Sequence, residues 1–185
     1  MSASPFSAII LAGGQSSRMG RDKALLRWHG LPLWQYQQQL LKRLGCDDIL
    51  LSHPHLGIAD QHPDFGPLSG LQALVPLCQH AHILVLPVDM PLLTPAVLGY
   101  LLQQAELQPA HFQHNALPCV LHNTPELIRY LNRQMHPRGQ RSVKSLLAFC
   151  EASSLECPWP ETLINTNTPD DWQQINPPTD AEKLP

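Results

Sequence analysis

The chain has 185 residues, 43% of them hydrophobic and 15% charged, with a formal net charge of −3. That length suffices for one globular domain with a substantial core, and the balance excludes a disordered chain and a strongly basic surface, so nucleic acid is not an expected partner. Five scattered cysteines without a CxxC pair read as reduced thiols of a cytoplasmic protein, and no apolar run suits a secretion signal or a membrane span.

Strand-length apolar runs alternate with amphipathic stretches, the signature of βαβ units. "SAIIL" (Ser7 to Leu11) is continuously apolar and predicts a strand buried on both faces. The loop that follows, "LAGGQSSRMGRDKALL", places two glycines before small polar residues and then Arg18, Arg21, Asp22 and Lys23. Pro32 to Gly45 predicts a helix with Leu33, Tyr36, Leu40, Leu41 and Leu44 along one face. Asp47 to Ser52 reads as the second strand, and Gly66 to Cys78 as a helix that Pro76 ends or kinks.

The third strand, His82 to Asp89, is the most apolar segment and stops at a carboxylate. A helix capped by Thr94 follows, to Gln104. Beyond residue 108 the pattern loosens: one or two short strands within Ala110 to His122, helices over Thr124 to Met135 and Ser142 to Cys150, then a strand, polar turn and closing helix over Glu161 to Trp172. The expected architecture is an α/β open sheet with a smaller mixed elaboration in the C-terminal half. Residues 1–175 read as one domain and 176–185 as a loose tail.

In an open parallel sheet, ligands bind beyond the carboxyl ends of the strands. The loop after the first strand and Asp89 after the third both fall there. Adjacent glycines let backbone N–H groups converge on an anion, and Lys23 with Arg18 supplies charge for phosphates. The spacing is neither GxGxxG nor GxxxxGK[ST]. The competing reading is a tight turn followed by solvated charges. Asp89 closes an apolar strand, where a carboxylate needs solvent or a cation; Mg²⁺ bridging phosphates answers that need, and a helix N-cap is the plainer alternative. His111, His114 and His122 lack metal-ligand order and read as surface or core histidines.

Taken together, "LAGGQSSRMGRDKALL", "GPLSGL", "LPVDMPLL" and "INTNTPDDW", in this order, resemble the molybdenum cofactor guanylyltransferases within the wider MobA-like nucleotidyltransferases. The resemblance implies a Rossmann-like three-layer sheet, mostly parallel, that holds GTP and Mg²⁺ and transfers GMP to the terminal phosphate of molybdopterin or its molybdenum-loaded form. It also implies contact with molybdenum-insertion and molybdoenzyme chaperone proteins. By matching motif, Leu11, Ala12, Gly13 and Gly14 contact the nucleotide, Lys23 holds its phosphates, Arg18 faces the reacting phosphates or the pterin phosphate, and Asp89 binds the metal. Ser52 stands where the family has asparagine. Asp60 or Asp64 matches the acidic residue before the GPL motif, and Gly66, Pro67, Leu68 and Gly70 shape the base pocket. Asn165 and Asn167 line the acceptor side, the plainer alternative being a turn that caps the closing helix through Thr168; Arg138 and Arg141, flanking Gly139, read either as ligands of the pterin phosphate or as solvent-facing loop arginines, and the 108–122 segment is shorter than the family pattern. A cytidylyltransferase, a related enzyme with another acceptor, and a non-catalytic delivery protein remain alternatives.

Overall fold

A computed structural model describes residues 4–13 and 22–175. In chain order its strands and helices are β1 (Phe6–Leu11), β2 (Arg27–Trp28), β3 (Leu31–Pro32), α1 (Leu33–Arg43), β4 (Asp48–Ser52), α2 (Pro67–Leu74), β5 (His82–Pro87), α3 (Pro95–Gln104), β6 (Ala110–Phe112), β7 (Cys119–His122), α4 (Pro125–Gln134), α5 (Val143–Phe149), β8 (Ser153–Leu155) and α6 (Pro169–Ile175). Six strands form one sheet in the order β4-β1-β5-β7-β6-β8, while β2 and β3 make a separate hairpin. β1 pairs in parallel with β4 and β5; β7 runs antiparallel to β5 and β6; β8 lies parallel to β6. Only β7 is therefore reversed within this sheet, and the mostly parallel architecture is the observed one.

Side chains alternate across the sheet, and both faces are covered. Ala8, Ile10, Leu84 and Leu86 point into a core with Leu33, Leu40 and Leu41 of α1 and Val97, Leu98 and Leu101 of α3. Ile9, Leu11, Ile83 and Val85 point the other way, against α2, α4 and α5 through Leu68, Leu71, Leu127 and Leu146. Burial on two faces explains why β1 and β5 read as uninterrupted apolar runs.

The chain leaves β1 for β4 on one side and later returns to place β5 on the other. Strand order thus reverses at β1, and the crevice expected at such a point lies beyond Leu11, Ser52 and Pro87. Thr94 and Thr124 cap α3 and α4 by accepting from Val97 N at 3.3 Å and Leu127 N at 3.2 Å. Proline follows each cap, where its missing N–H costs no helical bond.

One detail refines the expected elements and two depart from them. α2 ends at Leu74, and Val75–Leu77 tightens into a 3-10 turn around Pro76, which has no N–H to continue the α pattern. The strand expected from Glu161 does not form: Pro160–Leu163 is a 3-10 turn, with Thr162 N bonded to Trp159 O at 3.0 Å. Proline at its start and tertiary bonds further on leave that stretch no ladder to join. β8, polar and three residues long, pairs with β6 at the sheet edge although its sequence carries no alternation.

Candidate functional site

The β1–β5 register sets the site. Leu11 lies opposite Pro87, and Val88 N donates to Leu11 O at 3.0 Å, so the chain leaves β1 and β5 side by side. On the other flank, Ala12 N donates to Ser52 O at 3.0 Å. Leu11, Ala12 and Leu68 are buried. Gly14 and Arg18 lie outside the described residues.

Lys23 opens a 3-10 turn, Lys23–Leu25, anchored by the fully buried Ala24 and capped by Asp22, whose Oδ1 accepts from Ala24 N at 2.9 Å. Its Nζ donates to Asp89 Oδ2 at 2.8 Å and to Asn167 Oδ1 at 3.0 Å. The side chains of Lys23 and Asp89 are 18% and 16% exposed, which leaves the pair desolvated enough to be strong yet open to a ligand. Three residues predicted from separate motifs thus meet around one ammonium group.

Asp89 is held from behind. Thr166, fully buried between the two asparagines, donates to Asp89 O from its amide at 2.9 Å and from Oγ1 at 3.0 Å. The buried amide of Gln37 on α1 donates to Met90 O at 2.9 Å. Sequence reasoning missed both. Gln37 had a signal, being a polar residue at the Leu33+4 position within the buried stripe of α1; Thr166 had only its place between Asn165 and Asn167.

The INTNTP turn also caps α6. Asp171 Oδ2 accepts from Asn167 N at 3.0 Å and Thr168 N at 2.8 Å, while Asp171 N donates to Thr168 Oγ1 at 3.1 Å. Hydrogen bonding by the Thr168 side chain, followed by its backbone N–H, holds the Asp171 carboxyl below the usual carboxylate value. Capping and positioning of Asn167 are therefore one arrangement, and Asn165 stays half-buried beside it.

A second cluster forms at the end of β4. Ser52 Oγ donates to Asp60 Oδ1 at 2.8 Å. A side-chain carbon on Gly13 would lie 3.6 Å from Ser52 Oγ and 3.8 Å from Asp60 Oδ2. Asp60 is consequently the aspartate at the crevice, whereas Asp64 is exposed in the 3-10 turn Pro63–Phe65. Gly70 is needed for the approach of α2: a Cβ there would meet Ser52 Oγ at 2.5 Å and Leu11 Cδ2 at 3.2 Å. Gly66, with φ of 69°, takes the left-handed conformation that starts α2, next to exposed Pro67.

The arginines divide. The Arg141 guanidinium stacks 4.1 Å from the Phe65 ring centroid, which puts it at the entry to α2. Arg138 is exposed, and its backbone N donates to His136 Nδ1 at 3.2 Å. His111 Nδ1 lies 2.8 Å and 2.9 Å from the carbonyls of Phe112 and Asn115, a structural use of that ring.

Comparison with known proteins gives the family of the chain. The family described as MobA-like NTP transferase domain matches residues 8–152. A molybdenum cofactor guanylyltransferase of Xanthomonas euvesicatoria pv. vesicatoria is 38% identical over 180 residues, covering 92% of this chain and 94% of that one. This chain belongs to the MobA-like NTP transferase family. It is a nucleotidyltransferase. A molybdenum cofactor guanylyltransferase of Pseudomonas fluorescens is 34% identical, covering 89% of this chain and 90% of its own. Among solved structures, a nucleotidyl transferase from Methanothermobacter superposes with a TM-score of 0.76 at 21% identity, covering 92% of this chain and 95% of that one. Molybdopterin-guanine dinucleotide biosynthesis protein A from Archaeoglobus fulgidus gives 0.66 at 18% identity, covering 96% and 100%. At those identities the structures speak to the fold. Among the described residues, no helix of the nucleotidyltransferase is long and apolar enough to cross a membrane.

Proposed function

We propose that this nucleotidyltransferase transfers GMP from GTP to the terminal phosphate of molybdopterin, releasing pyrophosphate and forming a guanine dinucleotide of the cofactor. The choice of base and acceptor rests on relatives so named over nearly the whole chain. The observation that carries the chemistry is the meeting of Lys23, Asp89 and Asn167 at the mouth of β1 and β5.

The acceptor oxygen attacks the α-phosphorus; the bond from that phosphorus to the bridging oxygen breaks, and pyrophosphate leaves with the electron pair. A phosphate monoester, with a second pKa of about 6, is already anionic near neutrality and needs no general base. The work left is alignment and neutralisation of charge. Lys23, placed beside the loop that follows β1, holds the phosphates; Arg18 adds charge from the same loop. Past Ala12, whose N–H is taken by Ser52 O, the backbone N–H groups of the two glycines donate to phosphate oxygens. Ser52 and Asp60 take the nucleoside, whose N–H and O–H donors suit a carboxylate, with Gly66, Pro67 and Leu68 shaping the pocket. Asn165 and Asn167 take polar edges of the pterin, and Arg138 and Arg141 its phosphate.

A divalent cation fits the same mouth. The Asp89 carboxylate and the Asn167 amide oxygen are hard donors already gathered around one positive group, Lys23 Nζ. Among the described residues there is no cluster of three or more His, Cys, Asp or Glu, so the cation would draw its remaining ligands from phosphate and water. Mg²⁺ suits such a site, where it would neutralise charge developing on the phosphates. The expected setting is the cytoplasm, where molybdenum-insertion and molybdoenzyme chaperone proteins are the natural neighbours of the substrate and product.

Incubation with molybdopterin, Mg²⁺ and each nucleoside triphosphate tests the reading. Pyrophosphate release and a guanine dinucleotide product with GTP are expected, as is thermal protection by GTP above CTP. Preference for CTP would replace the base; release without a pterin product would replace the acceptor; protection by GTP without any release would favour a delivery protein.

A further inference from the structure

His53, immediately after β4, is a buried polar residue that the mechanism above does not use. Its side chain is 4% exposed. Nδ1 accepts from the backbone N–H groups of His55 and Leu56, each at 3.1 Å. A ring nitrogen that accepts two N–H bonds carries no proton, so the proton resides on Nε2, which donates to Asp22 Oδ2 at 2.8 Å. The backbone thereby fixes the tautomer, and the tautomer fixes Asp22.

Both oxygens of Asp22 are then committed, Oδ2 to His53 and Oδ1 to the cap of the turn that begins with Lys23. On its other side, His53 organises the return of the 53–58 segment: His53 N donates to Ile58 O at 3.1 Å and Ile58 N to Leu51 O at 2.8 Å. Two residues further, Asp60 meets Ser52. One imidazole thus ties the lysine at the phosphate end of the crevice to the aspartate at its nucleoside end.

We propose that His53 is a positioning residue that holds Lys23 in place for polyphosphate through Asp22 and, by its other ring nitrogen, the 53–60 turn for the nucleoside. The proposal rests on the nucleotide-binding reading of the crevice, and its two halves can be separated. In His53→Asn the amide oxygen can take over the turn N–H groups, as asparagine commonly does two residues ahead of them, but the shorter side chain cannot reach Asp22. Only the phosphate half is lost.

Calorimetric titration of the full chain with GTP, guanosine and inorganic tripolyphosphate, in Mg²⁺, reads this directly. For His53→Asn, affinity for GTP and tripolyphosphate should fall about tenfold, in the range seen when a supporting hydrogen bond behind a ligand-holding group is removed. Guanosine affinity should stay near that of the wild type, and the melting temperature should fall by only a few degrees, as for the loss of one buried hydrogen bond. Asp22→Asn, which has one acceptor oxygen in place of two, should show the same pattern, and the double variant should be no weaker than the weaker single variant, because the two act on one interaction. Equal loss for guanosine and tripolyphosphate, additive losses, or unchanged tripolyphosphate binding would overturn the proposal. A wild-type chain that binds tripolyphosphate but not GTP would instead remove the guanylyl reading and leave His53 to be judged on tripolyphosphate alone.

Discussion

Thr166 gives both of its donors, the amide and the hydroxyl, to a single acceptor, the carbonyl of Asp89. Two bonds from one buried residue lock the turn after β5 against the segment that carries Asn165 and Asn167, so the candidate metal-binding carboxylate and the candidate acceptor-binding amides cannot move independently. Thr166→Val keeps the shape and removes one bond. Stability should fall by about 1 kcal/mol, the usual net worth of a buried hydrogen bond. Because Asp89 loosens with it, kcat should fall several-fold while KM for GTP changes little. Urea denaturation and steady-state pyrophosphate release measure the two; a stability loss with unchanged kcat would show that the amide alone holds the turn.

Gly70 is the residue of α2 that allows the helix to approach Ser52, and a Cβ there would sit 2.5 Å from Ser52 Oγ. Gly70→Ala should push the hydroxyl off Asp60 and strain a close-packed contact, at a cost of about 1–3 kcal/mol. Nucleotide affinity should fall with it. The check is GTP titration alongside thermal unfolding, and Gly70→Ala with wild-type affinity would remove Ser52 from the nucleotide pocket.

All five cysteines are free, and burial pushes the Cys46 thiol up to about 11 and the Cys78 thiol up to about 12, with Cys119 raised in the same direction. In the unfolded chain these groups ionise near the ordinary value of 9.0. Above that pH the unfolded state releases protons that the folded state retains, so stability is full below pH 9 and falls as pH rises toward 11. Denaturant unfolding at pH 8 and pH 10 should show the loss, and Cys78→Ala should reduce its slope. Slow reaction of the three buried thiols with a thiol reagent at pH 8 is expected from the same burial.

What was legible in the sequence follows from how local each signal is. β1 and β5 declared themselves because burial on both faces demands an unbroken apolar run, and a lysine, an aspartate and an asparagine at strand and loop ends stood out against it. The partners that hold them did not. Gln37 reaches Met90 across 53 positions and Thr166 reaches Asp89 across 77, and no local pattern records such a bond. The choice between Asp60 and Asp64 likewise depended on the path of the 53–60 segment, which the hydrogen bonds of His53 determine. The strand read at the start of Glu161 to Trp172 is absent, because Thr166 gives its donors to Asp89 and leaves that stretch outside the sheet.

Asp89 separates the roles of charge and shape at the crevice. Asp89→Asn retains an oxygen for Lys23 Nζ but removes the negative charge that a divalent cation needs; Asp89→Ala removes both. If the carboxylate holds the cation, the two variants should lose cation-dependent pyrophosphate release alike, by at least about a hundredfold, as when a preorganised charge-stabilising group is deleted. If its main role is to orient Lys23, the asparagine variant should retain much of the activity while the alanine variant does not. The side chain is 16% exposed and paired with Lys23 in the structure, so the folded state should tolerate the neutral amide. Measured across a Mg²⁺ series, Asp89→Asn is expected to show no saturable dependence on the cation; a normal Mg²⁺ curve with reduced maximum would assign the carboxylate to the lysine and place the metal elsewhere in the crevice.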